Sequence, residues 1–383
     1  MALLLGVELL DELYSGVPSV GSAEIHADFA ASYQTMAWAL LLAPALLALL
    51  LEPVLFVLAD RYPRKWFVCG GLLAMSAAAF VAAAAPSVPV LAVAIAISVV
   101  ASGCGVALSQ ATLIDAQPEA RERVLARWAL LGTAGDLAAP VLMAGLAAVA
   151  LGWRTGFAIV GAATLVWAVL LTRQRFPAPV ACEDGDEEEP GLWAALLAAL
   201  RNRRLLFWLG ATALCDLMDE ILVVFAALYL RDHLDAGPIA RSVVFVAFVA
   251  GGALGLAVTD RLLARVAPLR LLAGSSVACA VLYVAWLAAP VVWLSALLMV
   301  AVGLTVAPLY PIALAQAYAA LPGRSGTVNA AGHVFTPLSL ALPLLLGWIA
   351  DHVGLIAALA LLIVQPVGIA LCAALALRRD RAG

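Results

Sequence analysis

Charged residues are scarce in this 383-residue chain: Asp, Glu, Lys and Arg make up 12% of it, against about 25% in an average soluble domain. Lysine is almost absent, since Lys65 is the only one. With 21 basic and 25 acidic residues the formal net charge is −4, and no basic field exists that could hold a phosphate backbone. Nucleic acid is therefore excluded as a partner. Because 65% of the residues are hydrophobic, a water-soluble enzyme is excluded as well.

Several chemical motifs are also missing. The six cysteines stand singly, form no Cys-x-x-Cys pair and lie mostly in apolar runs, so we expect neither disulfides nor a zinc cluster. No Gly-x-x-x-x-Gly-Lys-Ser/Thr loop is present, which argues against ATP hydrolysis. We expect no enzymatic activity and no cofactor. The first apolar run is not preceded by basic residues and contains Glu8, Asp11 and Glu12, which favours a membrane helix over a signal peptide.

Long apolar runs account for most of the chain. A membrane helix needs about 20 apolar residues, and twelve runs bounded by Gly, Pro or charge predict helices near residues 2–20, 33–58, 66–85, 89–115, 126–151, 155–173, 205–230, 239–259, 270–289, 291–320, 327–350 and 354–377. The predicted fold class is an all-α membrane protein with twelve transmembrane helices in two pseudo-symmetric six-helix bundles. We assign 1–174 to the N-terminal bundle, 175–204 to an acidic linker with an amphipathic surface helix, and 205–383 to the C-terminal bundle.

The basic residues predict the orientation. In this arrangement 18 of the 21 lie on one side of the membrane and only Arg154, Arg231 and Arg241 lie on the other. Lys and Arg are enriched on the cytoplasmic side of membrane proteins. We therefore expect a multi-pass protein of the inner (plasma) membrane with both termini and the acidic run Glu183–Glu189 in the cytoplasm. We expect it to act as a monomer.

The two halves of the chain repeat each other. Three short motifs recur in the same order at offsets of 208, 200 and 197 residues. The pairs are Glu8-Leu-Leu-Asp11-Glu12 with Asp216-Leu-Met-Asp219-Glu220, Asp60-Arg61 with Asp260-Arg261, and Gly135-Asp136-Leu-Ala-Ala-Pro140 with Gly332-His333-Val-Phe-Thr-Pro337. Internal repeats of this kind are typical of transporters built from two bundles.

These motifs also carry a family resemblance. The loop Leu58-Ala59-Asp60-Arg61-Tyr62-Pro63-Arg64-Lys65 resembles the G-x-x-x-D-R-x-G-R-K signature that the major facilitator superfamily has between helices 2 and 3. Gly152-Trp153-Arg154 and Gly347-Trp348 resemble its outer turns, and Gly132, Gly135, Pro140 and Gly145 are similar to its antiporter motif. The resemblance covers essentially the whole chain. It implies secondary transport by alternating access, in the proton-coupled drug-efflux-like branch, with helices 1 and 7 lining a central cavity.

Acidic residues inside the predicted spans are the strongest functional signal. There are nine, and no Lys or Arg accompanies them: Glu8, Asp11, Glu12, Glu52, Asp115, Asp136, Asp216, Asp219 and Glu220. An ionised acid at mid-membrane costs about 2.5–3.5 kcal/mol, so these groups must hold protons, be hydrated or bind a cation. We assign proton or cation coupling to the repeated triple, with Asp11, Glu12, Asp219 and Glu220 as the main sites and Glu8 and Asp216 in support.

Two further groups complete the predicted site. Residues expected to line the substrate cavity are Asp136, His333, Tyr14, Phe225 and Tyr310. A cytoplasmic gate latch is predicted from Asp60, Arg61, Arg64 and Asp115, in which Asp60 meets a helix N-terminus from the other half and Arg64 reaches Asp115.

Three interpretations of the transported substrate stay open. The first is proton-coupled export of an amphipathic neutral or cationic small molecule, because no intramembrane base is available for an anion. The second is transport of a divalent transition metal, for which Asp11, Cys215, Asp216 and His333 offer oxygen, sulfur and nitrogen ligands. The third is a lipid or lysolipid flippase. The expected partners are the small-molecule substrate, protons and the lipid bilayer.

Overall fold

The computed structural model describes residues 1–176 and 191–382. The acidic run Glu183–Glu189 lies outside the described residues, and so do the side chains of Asp219 and Glu220. Within the described ranges every regular element is a helix.

Nine α-helices precede residue 177. They are α1 (Ala2–Val20), α2 (Ser22–Phe29), α3 (Tyr33–Ala37), α4 (Ala43–Ala59), α5 (Arg64–Ala83), α6 (Val88–Ser102), α7 (Leu108–Ala116), α8 (Arg121–Ala148) and α9 (Trp153–Thr172). Helix α8 begins several residues before the predicted 126–151 segment, so Arg121, Arg123 and Arg127 lie on its first two turns.

Eleven α-helices follow residue 190. They are α10 (Leu192–Arg201), α11 (Arg203–Asp216), α12 (Leu222–Leu234), α13 (Pro238–Leu262), α14 (Pro268–Leu287), α15 (Val292–Val306), α16 (Leu309–Ala319), α17 (Ser325–Gly332), α18 (Thr336–His352), α19 (Leu355–Leu361) and α20 (Val364–Ala382). The short helix α10 occupies the place of the predicted surface helix, and the Asn202 side chain accepts hydrogen bonds from the first amides of α11.

The regular α-helical hydrogen bonding is interrupted within several predicted helices. Single π-helical turns cover Trp38–Leu42, Gly103–Ala107 and Leu217–Ile221. A 3₁₀ turn, His333–Phe335, separates α17 from α18. Proline explains this last break, because Pro337 has no N–H to donate to the His333 carbonyl.

Ten helical segments of the described chain are long and apolar enough to cross a membrane. They correspond to ten of the twelve predicted spans. The other two predicted spans are helical too, namely α1 and the stretch from α11 to α12. The predicted spans 2–20 and 205–230 each carry three acidic residues, which makes them less apolar than the others. That all twelve cross the membrane stays a prediction.

The described residues form two compact units. Unit 1 contains the described residues of 1–119, 131–200 and 321–333, and unit 2 contains those of 120–130, 201–320 and 334–383. The predicted bundles 1–174 and 205–383 describe the sequence repeat and stay a prediction. The compact units differ from the bundles in three segments: the start of α8 belongs to unit 2, α17 with His333 belongs to unit 1, and so does 191–200, which was predicted to lie outside both bundles.

Glycine allows close helix packing inside each unit. In unit 1, a Cβ built on Gly71 of α5 would lie 2.5 Å from the Gly105 nitrogen. In unit 2, a Cβ on Gly251 of α13 would lie 2.1 Å from the Val300 carbonyl oxygen of α15. Only residues without a side chain fit at such contacts.

Candidate functional site

The acids of α1 contact two different neighbours within unit 1. The carboxyl groups of Glu12 and Asp136 on α8 lie within hydrogen-bonding reach of each other. Ser15 Oγ donates to Glu12 Oε2 at 3.3 Å. Asp11 points to another helix, where its Oδ1 accepts a hydrogen bond of 2.8 Å from Ser102 Oγ of α6.

Two glycines on α8 make the first of these contacts possible. A Cβ on Gly135 would lie 2.6 Å from the Leu9 carbonyl oxygen and 2.7 Å from Glu12 Cβ. A Cβ on Gly132 would lie 3.0 Å from Glu8 Oε1. The glycines predicted from the antiporter-like pattern therefore lie against the acidic face of α1, and they let the carboxyl groups of Glu12 and Asp136 meet.

The equivalent acids of the second half lie at a helix break in unit 2. Asp216 ends α11, and its Oδ2 accepts a hydrogen bond of 2.6 Å from Ser339 Oγ of α18. Asp219 and Glu220 follow in the π-helical turn Leu217–Ile221. Because their side chains lie outside the described part, their assignment as coupling residues stays a prediction.

A glutamine that the sequence analysis missed supports this turn. Gln365 of α20 is fully buried, and its Oε1 accepts a hydrogen bond of 2.7 Å from the Met218 backbone nitrogen. Its Nε2 is buried without a hydrogen-bond partner among the described residues. The available signal was a single glutamine within the apolar segment 355–377.

A second missed residue is Glu52 of α4, which was counted among the intramembrane acids but given no role. Its Oε2 lies 3.2 Å from His333 Nε2, and both side chains are largely buried. The Phe56 ring lies beside the imidazole, with 5.8 Å between ring centroids. His333 therefore contacts a carboxylate in unit 1, and its proposed part in lining a substrate cavity stays a prediction.

The predicted latch residues meet in unit 1. Asp60 follows α4, and its carboxylate faces the first turn of α17, where the backbone amides have no partners within the helix. Gly326 N donates to Oδ1 at 2.9 Å, and Thr327 donates to Oδ2 from its N at 2.6 Å and from Oγ1 at 2.7 Å. A helix N-terminus also favours a negative charge.

Arg64 and Asp115 extend the same cluster. Arg64 Nη2 donates to Asp60 Oδ1 at 2.7 Å, and Nη1 donates to Asp115 Oδ2 at 2.6 Å. Ser325 Oγ donates to the same Asp115 oxygen at 2.6 Å. Arg61 lies half-buried in the turn that follows Asp60. The start of α17 is thus bound by two carboxylates that share one guanidinium.

The repeat-related Asp260, in unit 2, has a different environment. Its Oδ1 accepts from Arg123 Nε at 3.2 Å and from Arg127 Nε at 3.0 Å. The two arginine side chains are 41% and 49% exposed, whereas that of Asp60 is only 8% exposed. Asp60, directly after α4, and Asp260, in the last turn of α13, therefore both bind the beginning of a helix. Asp60 does so through buried backbone amides, and Asp260 does so through exposed side chains.

The other predicted residues have the following surroundings. Tyr14 is buried and packs edge-on against Phe157, with ring centroids 5.8 Å apart. Phe225 is buried and Tyr310 is 38% exposed. Cys215 Sγ donates to the Ala211 carbonyl oxygen within its own helix. Among the residues that the structure describes, no three His, Cys, Asp or Glu side chains are placed to hold a metal ion.

Comparison with known proteins identifies the class. The family model of the Major Facilitator Superfamily matches residues 13–336, most of the chain. The chain therefore belongs to the Major Facilitator Superfamily, and the resemblance seen in the loop after Leu58 is confirmed. Fold and family together define a multi-pass membrane transporter. A search of curated protein sequences finds no match.

Solved structures share the fold at low sequence identity. The fucose:proton symporter FucP of E. coli is 15% identical, with a TM-score of 0.82 and coverage of 98% of this chain and 97% of that one. The proton:xylose symporter XylE is 13% identical, with a TM-score of 0.75 and coverage of 97% and 93%. The human organic anion transporter MFSD10 is 16% identical, with a TM-score of 0.69 and coverage of 97% and 98%. At these identities the likeness shows the fold alone, and the drug-efflux-like branch stays a prediction.

Proposed function

We propose that this protein couples proton movement to the export of an amphipathic neutral or cationic small molecule. Asp11, Glu12 and Asp136 form the coupling site in the first half, and Asp219 and Glu220 form its counterpart in the second. The observation that carries the proposal is the contact between the carboxyl groups of Glu12 and Asp136.

Two carboxyl groups at hydrogen-bonding distance hold one proton most easily. If both are ionised, like charges face each other, and the pair takes up a proton to relieve this. A bound cation can relieve it too. Competition between a proton and a cationic substrate for the same carboxylates is a simple physical basis for exchange across a membrane.

The charge of the spans supports the substrate class. In the part of the chain that the structure describes, the coupling acids Asp11, Glu12 and Asp136 interact with one another and with serine hydroxyls, and no basic side chain is among their partners. An anionic substrate would meet only like charge there. A neutral or cationic molecule would not. Metal transport has less support, because the described residues offer no three-ligand group.

The orientation and the gate belong to the same proposal. With both termini in the cytoplasm, the latch of Asp60, Arg64 and Asp115 lies on the cytoplasmic side. Holding the start of α17 there would close the inner entrance, and its release would open it. The protein would work in the inner membrane as a monomer.

The first experiment is a thermal-shift screen of the purified protein at pH 6 and pH 8. Its probes are tetraphenylphosphonium, L-fucose, D-xylose, MnCl₂ and lysophosphatidylcholine, which represent a lipophilic cation, sugars, a metal and a lipid. A ligand of the native state at 100 times its Kd adds about 2.7 kcal/mol of stability. We expect stabilisation by the cation, and stabilisation by Mn²⁺ or the lysolipid instead would favour the corresponding alternative.

Transport then tests the coupling directly. In proteoliposomes with an imposed pH gradient, wild type should accumulate the stabilising ligand, whereas Glu12→Gln and Asp136→Asn should lose gradient-driven accumulation. Exchange of ligand at equal pH should survive, because both replacements resemble the protonated acids. Glu119→Gln, at an exposed position outside the site, is the matched control. Full gradient-driven transport by Glu12→Gln and Asp136→Asn would remove these acids from the coupling site.

A further inference from the structure

The contact between Glu52 and His333 lies where helix α17 ends. Helix α17 ends at Gly332, and His333 begins the 3₁₀ turn that Pro337 imposes. His333 is also the last residue of its segment in unit 1, whereas Val334 and the residues after it belong to unit 2. The imidazole is therefore the last side chain that ties α17 into unit 1.

The carboxylate has a defined position. A Cβ on Gly103, in the π-helical turn Gly103–Ala107, would lie 2.6 Å from Glu52 Oε1. Glycine at this position thus leaves room for one carboxylate oxygen while the other reaches His333 Nε2. The Phe56 ring covers the imidazole from α4. Both partners are held by packing as well as by their mutual contact.

Other titratable groups facing this pair are few. Asp11 of α1 is near enough to Glu52 for their charges to interact, and the Cys104 thiol of the π-helical turn is a second neighbour. Among the described residues, no Arg or Lys forms an ion pair or hydrogen bond with Glu52 or His333. The only group here that can become positive is the His333 ring.

We propose that Glu52 and His333 form a proton-binding site whose occupancy holds the C-terminal end of α17 in unit 1. With the proton present, an imidazolium faces a carboxylate and the pair is neutral overall. Without it, a largely buried carboxylate faces a neutral ring with Asp11 nearby, and an uncompensated buried charge is strongly unfavourable. Loss of the proton therefore favours withdrawal of His333 and hydration of Glu52.

The pH range of the test follows from the chemistry of histidine. Imidazole is the side chain whose charge ordinarily changes between about pH 5 and pH 8. Because Asp60 binds the other end of α17 through backbone amides, the two ends of this short helix respond to different conditions. The inference rests on the proposed proton coupling, which it extends to a second site.

The test observes His333 directly. In protein labelled with ¹⁵N-histidine, the imidazole resonances of the four histidines are followed by NMR from pH 5 to 9, and His333→Gln assigns the signal. An opposite charge within a few ångströms stabilises the charged form by about one to three pH units. We therefore expect Glu52→Gln to lower the proton affinity of His333 at least tenfold, and the control Glu119→Gln to change it less than twofold.

A second measurement follows the helix. Hydrogen exchange of the segment 328–334, corrected for the intrinsic effect of pH, should be slower at pH 6 than at pH 8.5 in wild type and equal at the two pH values in Glu52→Gln. If Glu52→Gln does not fold, Gly103→Ala serves instead, because it keeps both titratable groups but displaces the carboxylate. The proposal is overturned if the His333 resonance shows one charge state from pH 5 to 9. It is also overturned if Glu52→Gln changes the proton affinity of His333 less than threefold.

Neither measurement requires transport. Proton-driven transport without coupling between Glu52 and His333 would refute this inference and leave the proposed function standing. Coupling between the two residues in a protein whose transport ignores the pH gradient would refute the proposed function and leave the proton-binding site standing.

Discussion

Replacing Asp60 by asparagine tests the latch at its most buried group. The carboxylate accepts four hydrogen bonds: Gly326 N and Arg64 Nη2 donate to Oδ1, and Thr327 N and Oγ1 donate to Oδ2. Asparagine has one acceptor oxygen and one NH₂ group. Whichever way the amide is turned, its NH₂ faces one of the two backbone amides, and that N–H loses its acceptor.

The expected loss can be worked out from these contacts. A hydrogen bond to a charged group contributes about 1.5–3 kcal/mol, and a negative charge at a partly buried helix N-terminus adds up to about 2 kcal/mol. Asp60→Asn loses the charge and at least one of the bonds but keeps the others. We therefore expect the start of α17 to be destabilised by about 3 kcal/mol, which corresponds to roughly a hundredfold in the opening equilibrium.

Hydrogen exchange of Ser325–Gly332 in detergent measures this opening. The amides of Gly326 and Thr327 should exchange roughly a hundredfold faster in Asp60→Asn. Asp260→Asn is the matched control, since it makes the same change in the repeat-related loop, where the partners are exposed arginines and a pair contributes about 0–1 kcal/mol. It should leave this segment unchanged. Exchange within threefold of wild type in Asp60→Asn would show that the carboxylate does not hold the helix.

Three other substitutions give independent tests. Gly135→Ala should lower the apparent melting temperature by several degrees, because overpacking costs about 1–3 kcal/mol. The control Gly145→Ala, whose new Cβ has no atom within 4 Å, should leave the melting temperature unchanged or raise it. Equal shifts in the two variants would contradict the close contact of α8 with α1. Gln365→Leu removes the acceptor of Met218 N and should lower the melting temperature too, and it should impair gradient-driven transport more than Gln316→Leu does. Asp186→Cys in sealed cells should resist an impermeant thiol reagent, since the run around Glu187 is predicted to be cytoplasmic, and external labelling would reverse the topology.

The contacts of Asp60 and Arg64 could be foreseen from one short motif, and the role of these residues as a latch stays a prediction. Asp60, Arg61 and Arg64 stand together in a loop at the end of a helix, and a carboxylate there has few partners other than a helix N-terminus and a nearby base. Helical periodicity likewise places Glu8 and Glu12 on one face of α1. Periodicity does not tell which neighbour each acid contacts, so the separation of Asp11, bound to Ser102, from Glu12, bound to Asp136, required the structure.

The pair of Glu52 and His333 could not be predicted in the same way. The two residues are far apart in the sequence, and Glu52 belongs to no motif and has no acidic counterpart in the repeat. Their meeting depends on how α4 packs against α17 and on where the helix breaks at His333. Pro337 predicts that break. The π-helical turn at Gly103, which makes room for the carboxylate, has no comparable sequence signal.

The exchange of segments between the compact units has a consequence for the integrity of the chain. A fragment that ends before residue 177 contains most of unit 1 but lacks 191–200 and 321–333, and it carries 120–130, which belongs to unit 2. The complementary fragment has the reverse deficit. Each fragment made alone would lack a segment that packs against it in the intact protein, and the surface which that segment covers would be exposed. We therefore expect a cell that produces the two halves as separate polypeptides to recover the transporter only when both are synthesised together.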